Sequence, residues 1–454
     1  MAQAVKMDMT QGSLWDKIIL FAVPVALMAF LQQIFNATDV AVIGQFAGTA
    51  AMAAVGSCGA MCSFVVCLGT GLSLGANVTI ATNIGAGNAD AVRKAVHTAI
   101  LVALGGGVLM AALGELAIGP VMAHMGIKDP AVEAMALTYM RIYLAGLPVI
   151  FLYDFEAAIM RSQGDTRTPL VALTAAGVVN VGLNLLFVCV LHMDVDGVAI
   201  ATVTSSAISS AILLAVLTHS TSVVRVDLRA LRIDAPSLKR IVVVGLPAGV
   251  QGALFCIANV IIQTAVNSLD TAVMAGNSAA NNLDAFSWYS LNAFGQACTT
   301  FVGQNNGAGR RDRCGKTLRL CFIEGYTAYA VITTILLVFT RPLLAIFNGD
   351  PAVIEAGRIR VYYILATHLF TMVVEIVSGY LRGYGMSLPP TVIALVSVCL
   401  VRILWVAFVF PIDHSLSTLL TVYPVSVGLN ALGIAILAFT VRKHLGRDGY
   451  QRKK

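Results

Sequence analysis

Roughly twelve stretches of this chain, centred near residues 30, 67, 107, 147, 179, 208, 252, 291, 329, 367, 400 and 428, run for about 20 residues with few charges, the length an α-helix needs to cross a bilayer. A chain built of such stretches takes lipid as its solvent, and the expected fold is all-α integral membrane. Of its 454 residues, 58% are hydrophobic and 11% charged, against about 25% charged in an ordinary soluble domain. The 40 glycines and 13 prolines suit membrane helices, which use them for close approach and kinks. Little chain is left over for a soluble domain.

The net charge of +6 raises the question of nucleic acid, and the placement of the basic residues answers it. They gather at the N-terminus, in every second connection and in the C-terminal tail. Lys128 and Arg341 lie in the intervening connections, and Arg141, Arg358, Arg360 and Arg402 within or at the start of spans. By the positive-inside rule that pattern puts both termini in the cytoplasm and makes the number of spans even. The charge is a topology signal, and no nucleic-acid partner is expected. A cell (inner) membrane location, multi-pass, with a monomeric chain in the lipid bilayer, is the corresponding expectation.

The first apolar segment runs past signal-peptide length without a small-residue cleavage site, so it reads as a retained helix. Nine cysteines form no C-x-x-C pair and read as small packing residues. Histidines 97, 124, 192, 219, 368, 414 and 444 are scattered near helix ends, so no metal and no cofactor is expected.

The two halves are related. Asn83-Ile-Gly-Ala-Gly-Asn-Ala-Asp90, followed by Lys94, and Asn305-Asn-Gly-Ala-Gly-Arg-Arg-Asp312, followed by Lys316, share N-x-G-A-G-x-x-D-x-x-x-K at an offset of 222. Asp129-Pro-Ala-Val132 matches Asp350-Pro-Ala-Val353 at 221, Arg161, Gly164 and Pro169 match Arg382, Gly385 and Pro390 at 221, and Pro24 matches Pro247 at 223. A six-span repeat enters the membrane in one direction, so the two bundles are expected to be parallel repeats related by an axis along the membrane normal. The expected organisation is an N-lobe (1–220), a basic cytoplasmic linker (221–240) and a C-lobe (241–454) with a basic tail. A cleft between two such bundles, opening alternately to either side, is the natural machine of a transporter.

Several motifs, in order, resemble the multidrug and toxic compound extrusion (MATE) family over essentially the whole chain. They are Pro24 with Asn36-x-x-Asp39-x-x-x-x-Gly44 in the first span, the glycine turns at Gly85-Ala-Gly87 and Gln304-Asn-Asn-Gly-Ala308, Arg161-Ser-Gln-Gly-Asp-Thr-Arg-Thr-Pro169, Leu381-Arg-Gly-Tyr-Gly385, Asn180-Val-Gly-Leu-Asn184 and Gly197-Val-Ala-Ile-Ala-Thr202. The resemblance implies a twelve-helix, two-lobed exporter driven by an inward proton or sodium gradient, acting on small organic, often cationic, compounds. The DinF-like branch is the nearest resemblance, yet many of its members carry an aspartate where this chain has Asn184.

An acid deep in a membrane helix costs about 2.5–3.5 kcal/mol on insertion scales and needs a reason. Asp39 is the leading ion-coupling candidate and matches the coupling aspartate of the family's N-lobe. Asn180 and Asn184, one turn apart on one helix face, are placed to hold it or an ion. Thr202 matches a polar family position. Sodium-type relatives carry a glutamate where this chain has Phe255, which favours a proton over sodium as coupling ion. Asp284, with Trp288 and Tyr289, suits an organic cation by charge and cation–π attraction, and Asn36 and Asn259 complete the candidate substrate contacts. Asp154 and Glu375, repeat equivalents, each precede an arginine, Arg161 or Arg382, by seven residues and are assigned to a gate. Glu156 and Glu115 have no assigned role. The alternative function is a lipid-linked oligosaccharide flippase of the same broader superfamily, with Arg141 and Arg402 serving anionic headgroups. An enzyme is not expected, for the chain has no nucleophile elbow, metal triad or paired catalytic motif.

Overall fold

The computed structural model describes residues 7–124 and 129–451, with side chains through Val441. Lys6, Lys128 and the basic side chains from Arg442 onward, which carry part of the topology argument, lie outside the described residues. The first three spans form α1 (Trp15–Phe46), α2 (Thr49–Gly85) and α3 (Ala89–His124). The fourth is broken into α4 (Pro130–Ala145) and α5 (Leu147–Ser162), and then come α6 (Arg167–Asn184), continued by a wide π turn at Leu185–Val190, and α7 (Val195–His219). The second half contains α8 (Ala235–Val266), α9 (Thr271–Gly307), α10 (Arg311–Val338), the short α11 (Thr340–Ala345) and α12 (Pro351–Gly383). It closes with α13 (Leu388–Ala394), α14 (Val401–Leu404) between π turns at Leu395–Leu400 and Trp405–Val409, and α15 (Leu416–Gln451). The fold is all-α and integral-membrane.

Among the described residues ten helical segments have the length and hydropathy to cross a bilayer, and α4 with α5 makes an eleventh. The remaining long helix is α9, at 37 residues. Asn277, Asn281, Asp284 and Ser287, grouped on one side of it, lower its hydropathy below that of its neighbours.

The repeat read from the sequence is present as local geometry. Asp129 caps α4 by accepting from the Ala131 amide at 2.9 Å, and Asp350 caps α12 by accepting from Ala352 at 2.8 Å, each with proline next in the chain. Gly87 and Gly309 take φ of +68° and +70°, and Gly164 and Gly385 take +86° and +85°. Side-chain-bearing residues pay a steric cost in that left-handed region, so glycine is conserved between the halves by backbone need. One difference between the halves lies in the fourth span of each. Pro148 has no N–H and its ring crowds the carbonyl one turn back, so α4 and α5 meet at a bend of 49°. The equivalent stretch of the second half has Leu369, and α12 runs unbroken for 33 residues.

Two compact units are present. The first comprises Met1–Gln11, Pro24–Ala253 and Gly307–Gly309, the second Gly12–Val23, Leu254–Asn306 and Arg310–Lys454. In the first, α5 is central, burying Phe151, Phe155, Ile159 and Met160 against α2, α3 and α7. The 221–234 connection is ordered against α3 by Asp227 N–H to His97 Nε2 at 3.2 Å and Asp234 N–H to Thr98 Oγ1 at 2.9 Å. Asp234 then accepts from the Ser237 hydroxyl and amide at the start of α8, and these bonds hold its carboxyl below the usual carboxylate range. In the second unit α12 is central, 67% of its most apolar window being buried. Outward faces carry the exposed apolar residues, such as Leu109, Leu113 and Leu116 on α3, as lipid requires.

Helices meet through glycine. A methyl on Gly71 of α2 would lie 2.1 Å from the Gly249 backbone of α8, and one on Gly379 of α12 would lie 2.4 Å from the Gly295 carbonyl of α9. Lipid offers no hydrophobic drive between helices, so such backbone approach supplies the packing energy. Gly71→Val and Gly379→Val should therefore lose the monodisperse peak in fluorescence-detected size exclusion. Gly105→Ala, where a methyl meets nothing within 4 Å, should keep it and raise the thermal midpoint slightly, because alanine is the better helix former. Equal behaviour of the three variants would contradict this reading.

Candidate functional site

In the first unit the sequence-expected ion site assembles from three helices. Asp39 sits on α1, seven residues before its C-terminal end, and is 8% exposed. Asn184 on α6 is fully buried and donates one amide hydrogen to Asp39 Oδ1 at 2.5 Å and the other to Asn180 Oδ1 at 3.2 Å. Thr202 on α7 shares its hydroxyl hydrogen between the Val198 carbonyl at 3.0 Å and Asp39 Oδ2 at 3.4 Å. Among the described residues no lysine, arginine or histidine lies within ion-pair distance of Asp39. The carboxylate is thus held only by neutral donors, and the buried Asn184 Oδ1 accepts from no protein group. Asn36, three residues before Asp39, is exposed.

The reason these residues meet is helical arithmetic. Asn180 and Asn184 share a face of α6, and Asp39, Asn180 and Asn184 are among the few buried polar side chains of α1 and α6. Such an arrangement holds a charge or a proton, and it supplies oxygen ligands if the amides turn.

In the second unit Asp284 meets a partner that the sequence reading missed. His368 Nε2 lies 3.1 Å from Asp284 Oδ1, and its Nδ1 lies 3.0 Å from Ser287 Oγ. His368 is in the middle of α12, not near a helix end, and its ring stands edge-on to Tyr329 at 6.3 Å. Trp288, one turn after Asp284, is exposed and meets Tyr289 edge-to-face at 5.4 Å. Asn259, expected as a substrate contact, accepts from Arg402 Nη1 at 2.7 Å.

The gate candidates stay within their own units. Asp154 and Arg161 are half-buried on α5, and Glu375 and Arg382 are half-buried on α12. Glu375 accepts from Asn292 Nδ2 of α9 at 3.2 Å. The unassigned acids also find partners. Glu156, wholly buried, accepts from Ser210 at 2.9 Å, and Glu115 lies 3.7 Å from Arg141 on the exposed surface of the first unit.

The structure is that of a multi-pass helical protein holding a buried acid between an amide and a hydroxyl, and its relatives give its class, a membrane transporter. The chain belongs to the MatE family, whose pattern matches residues 24–186 and again 247–408. A "Probable multidrug resistance protein NorM" of Thermotoga maritima is 28% identical over 401 residues, covering 87% of this chain and 85% of the relative. A "FAD transporter" of Shewanella oneidensis is 25% identical over 328 residues, 71% of this chain and 72% of the relative. Among solved structures, a MOP superfamily transporter from Pyrococcus furiosus, described as having a binding pocket of reversed polarity, superposes with a TM-score of 0.85 at 21% identity, covering 96% of this chain and 97% of that one.

Replacing Asn184 with leucine removes the 2.5 Å donor to Asp39 and leaves a buried carboxylate oxygen unpaired, at a cost of about 1–3 kcal/mol. The variant should unfold at a lower temperature than the parent at pH 8, and the deficit should close in an Asp39→Asn, Asn184→Leu double variant. A double variant less stable than Asn184→Leu alone would contradict the pairing.

Proposed function

We propose that the protein exports small organic compounds across a cell (inner) membrane in exchange for protons, by alternating access, with both termini in the cytoplasm. The observation that carries the reading is Asp39, a buried carboxylate without a cationic partner, bonded to Asn184 and Thr202. A carboxylate in that setting is poised between holding a proton and holding a charge, and a change of hydration switches it between the two. Coupling follows if the protonated and ionised forms favour different exposures of the site, because differential affinity for two states is what moves a conformational equilibrium.

The proton is favoured over sodium by Phe255, which stands where the resemblance places a glutamate in sodium-type relatives.

The relatives named for multidrug resistance support organic substrates. Asp284 and Trp288 offer a basic substrate group charge and an aromatic face, with His368 as the competing partner of the acid. The gate role of Asp154–Arg161 and Glu375–Arg382 remains part of the proposal. The flippase alternative loses support from Arg141, which is exposed and lies beside Glu115.

Purified protein in liposomes decides the matter. With an imposed pH gradient, efflux of a fluorescent organic substrate should run at least about tenfold faster than without it, and Asp39→Asn should abolish the stimulation. A sodium gradient alone should give none. Full gradient-driven efflux by Asp39→Asn, or stimulation by sodium only, would overturn the proposal.

A further inference from the structure

The second unit holds two buried arginines without acidic partners. Arg360 on α12 and Arg402 on α14 are each 5% exposed. Among the described residues neither has a carboxylate within ion-pair distance. Arg360 donates to Asn277 Oδ1 at 2.5 Å and Asn281 Oδ1 at 3.1 Å, both on α9, and its Nε–H has no partner. Arg402 donates to Asn259 at 2.7 Å and to Ser426 at 3.4 Å. Both guanidinium groups lie over the ring of Tyr423, at 5.7 and 4.6 Å from its centre. The two charges therefore share one neighbourhood.

Arginine stays charged in proteins, so it cannot relieve burial by losing its proton. Amide oxygens and an aromatic face solvate a guanidinium but leave its charge uncompensated, and two like charges facing one ring repel. A structural pair would be expected to recruit an acid. Asp284 lines a small cavity with Arg360 yet lies against His368 instead.

The repeat makes the inversion plain. Tyr423 lies 221 residues after Thr202, Arg360 lies 221 after Tyr139, and Asn259 lies 223 after Asn36. The offsets are those of the repeat itself. The fold thus presents equivalent positions in its halves, built around an acid in the first and around two bases in the second, where Ile262 replaces Asp39.

We propose that Arg360 and Arg402, which share the Tyr423 ring and are held by Asn277, Asn281 and Asn259, form a binding site for an oxyanion, a carboxylate or phosphate group of the exported compound. Planar guanidinium forks suit both groups. The inference rests on the export reading above and narrows it: substrates of this chain carry an acidic group, alone or together with a basic one that Asp284 accommodates.

The test is dye binding, by fluorescence anisotropy, to purified protein in nanodiscs of phosphatidylcholine with no gradient. Four coumarin dyes of one scaffold are compared, bearing a carboxylate, a phosphate monoester, a methyl ester or a quaternary ammonium. At least one anionic dye should bind about tenfold or more tightly than the ester, and Arg360→Gln and Arg402→Gln should each remove most of that advantage while leaving quaternary ammonium binding within about twofold. Arg402→Lys should retain part of it, and guards against a glutamine variant that does not fold. Anions binding no better than the ester in the parent protein would overturn the proposal, as would anion preference unchanged in the arginine variants. Adding phosphatidylglycerol should leave dye affinity unchanged; competition would reassign the site to a lipid headgroup and overturn the substrate role. Asp39→Asn that binds anions and still exports them with full gradient stimulation would sink the coupling proposal alone.

Discussion

The contact between Asp39 and Asn184 is the constraint on which the rest depends. A bilayer tolerates an acid only where something takes the place of water around it. Here α6 contributes Asn184, backed by Asn180, and α7 contributes Thr202, and neither contributes a cation. Had an arginine stood at position 184, the acid would be locked as an ion pair. With amides and a hydroxyl, either protonation state of the carboxyl can be accommodated, and the surrounding bundle of α2, α4, α5 and α7 keeps the group away from lipid.

Duplication explains how one chain carries two unlike polar centres. The halves retain the same caps at Asp129 and Asp350 and the same left-handed glycines at Gly164 and Gly385, because those fix where helices stop and turn. Positions facing the interior of each unit are free of that duty once the helices are placed. They have diverged to an acid with amides in the first unit and to Arg360, Arg402 and Tyr423 in the second. Backbone need preserves the frame, and chemistry varies inside it.

Much of this was legible in the sequence, for stated reasons. Span positions follow from apolar run length, and the repeat from glycines and caps whose backbone roles leave little choice of residue. Asp39 stands out as a membrane acid and Asn180 and Asn184 as asparagines one turn apart, whereas Thr202 is reached only through the family resemblance. The break at Pro148 was not anticipated, although its cause is local; the run of apolar residues around it hid the bend. The Asp284–His368 pair was not legible, because the two residues are far apart in sequence and their meeting depends on how α9 packs on α12. The same applies to Arg360 and Arg402, which reading by span treats as two isolated charges. A cluster centred on Tyr423 emerges only when three helices are brought together.

The central claim is that the carboxyl of Asp39 exchanges a proton during the transport cycle. Infrared difference spectroscopy of substrate-free against substrate-bound protein, at neutral pH in lipid, reads that event directly through the C=O stretch of a protonated carboxyl. The account predicts a carboxyl band that changes on substrate binding and is missing from the spectrum of Asp39→Asn. A spectrum with no carboxyl change, or with the same band in the variant, would contradict it.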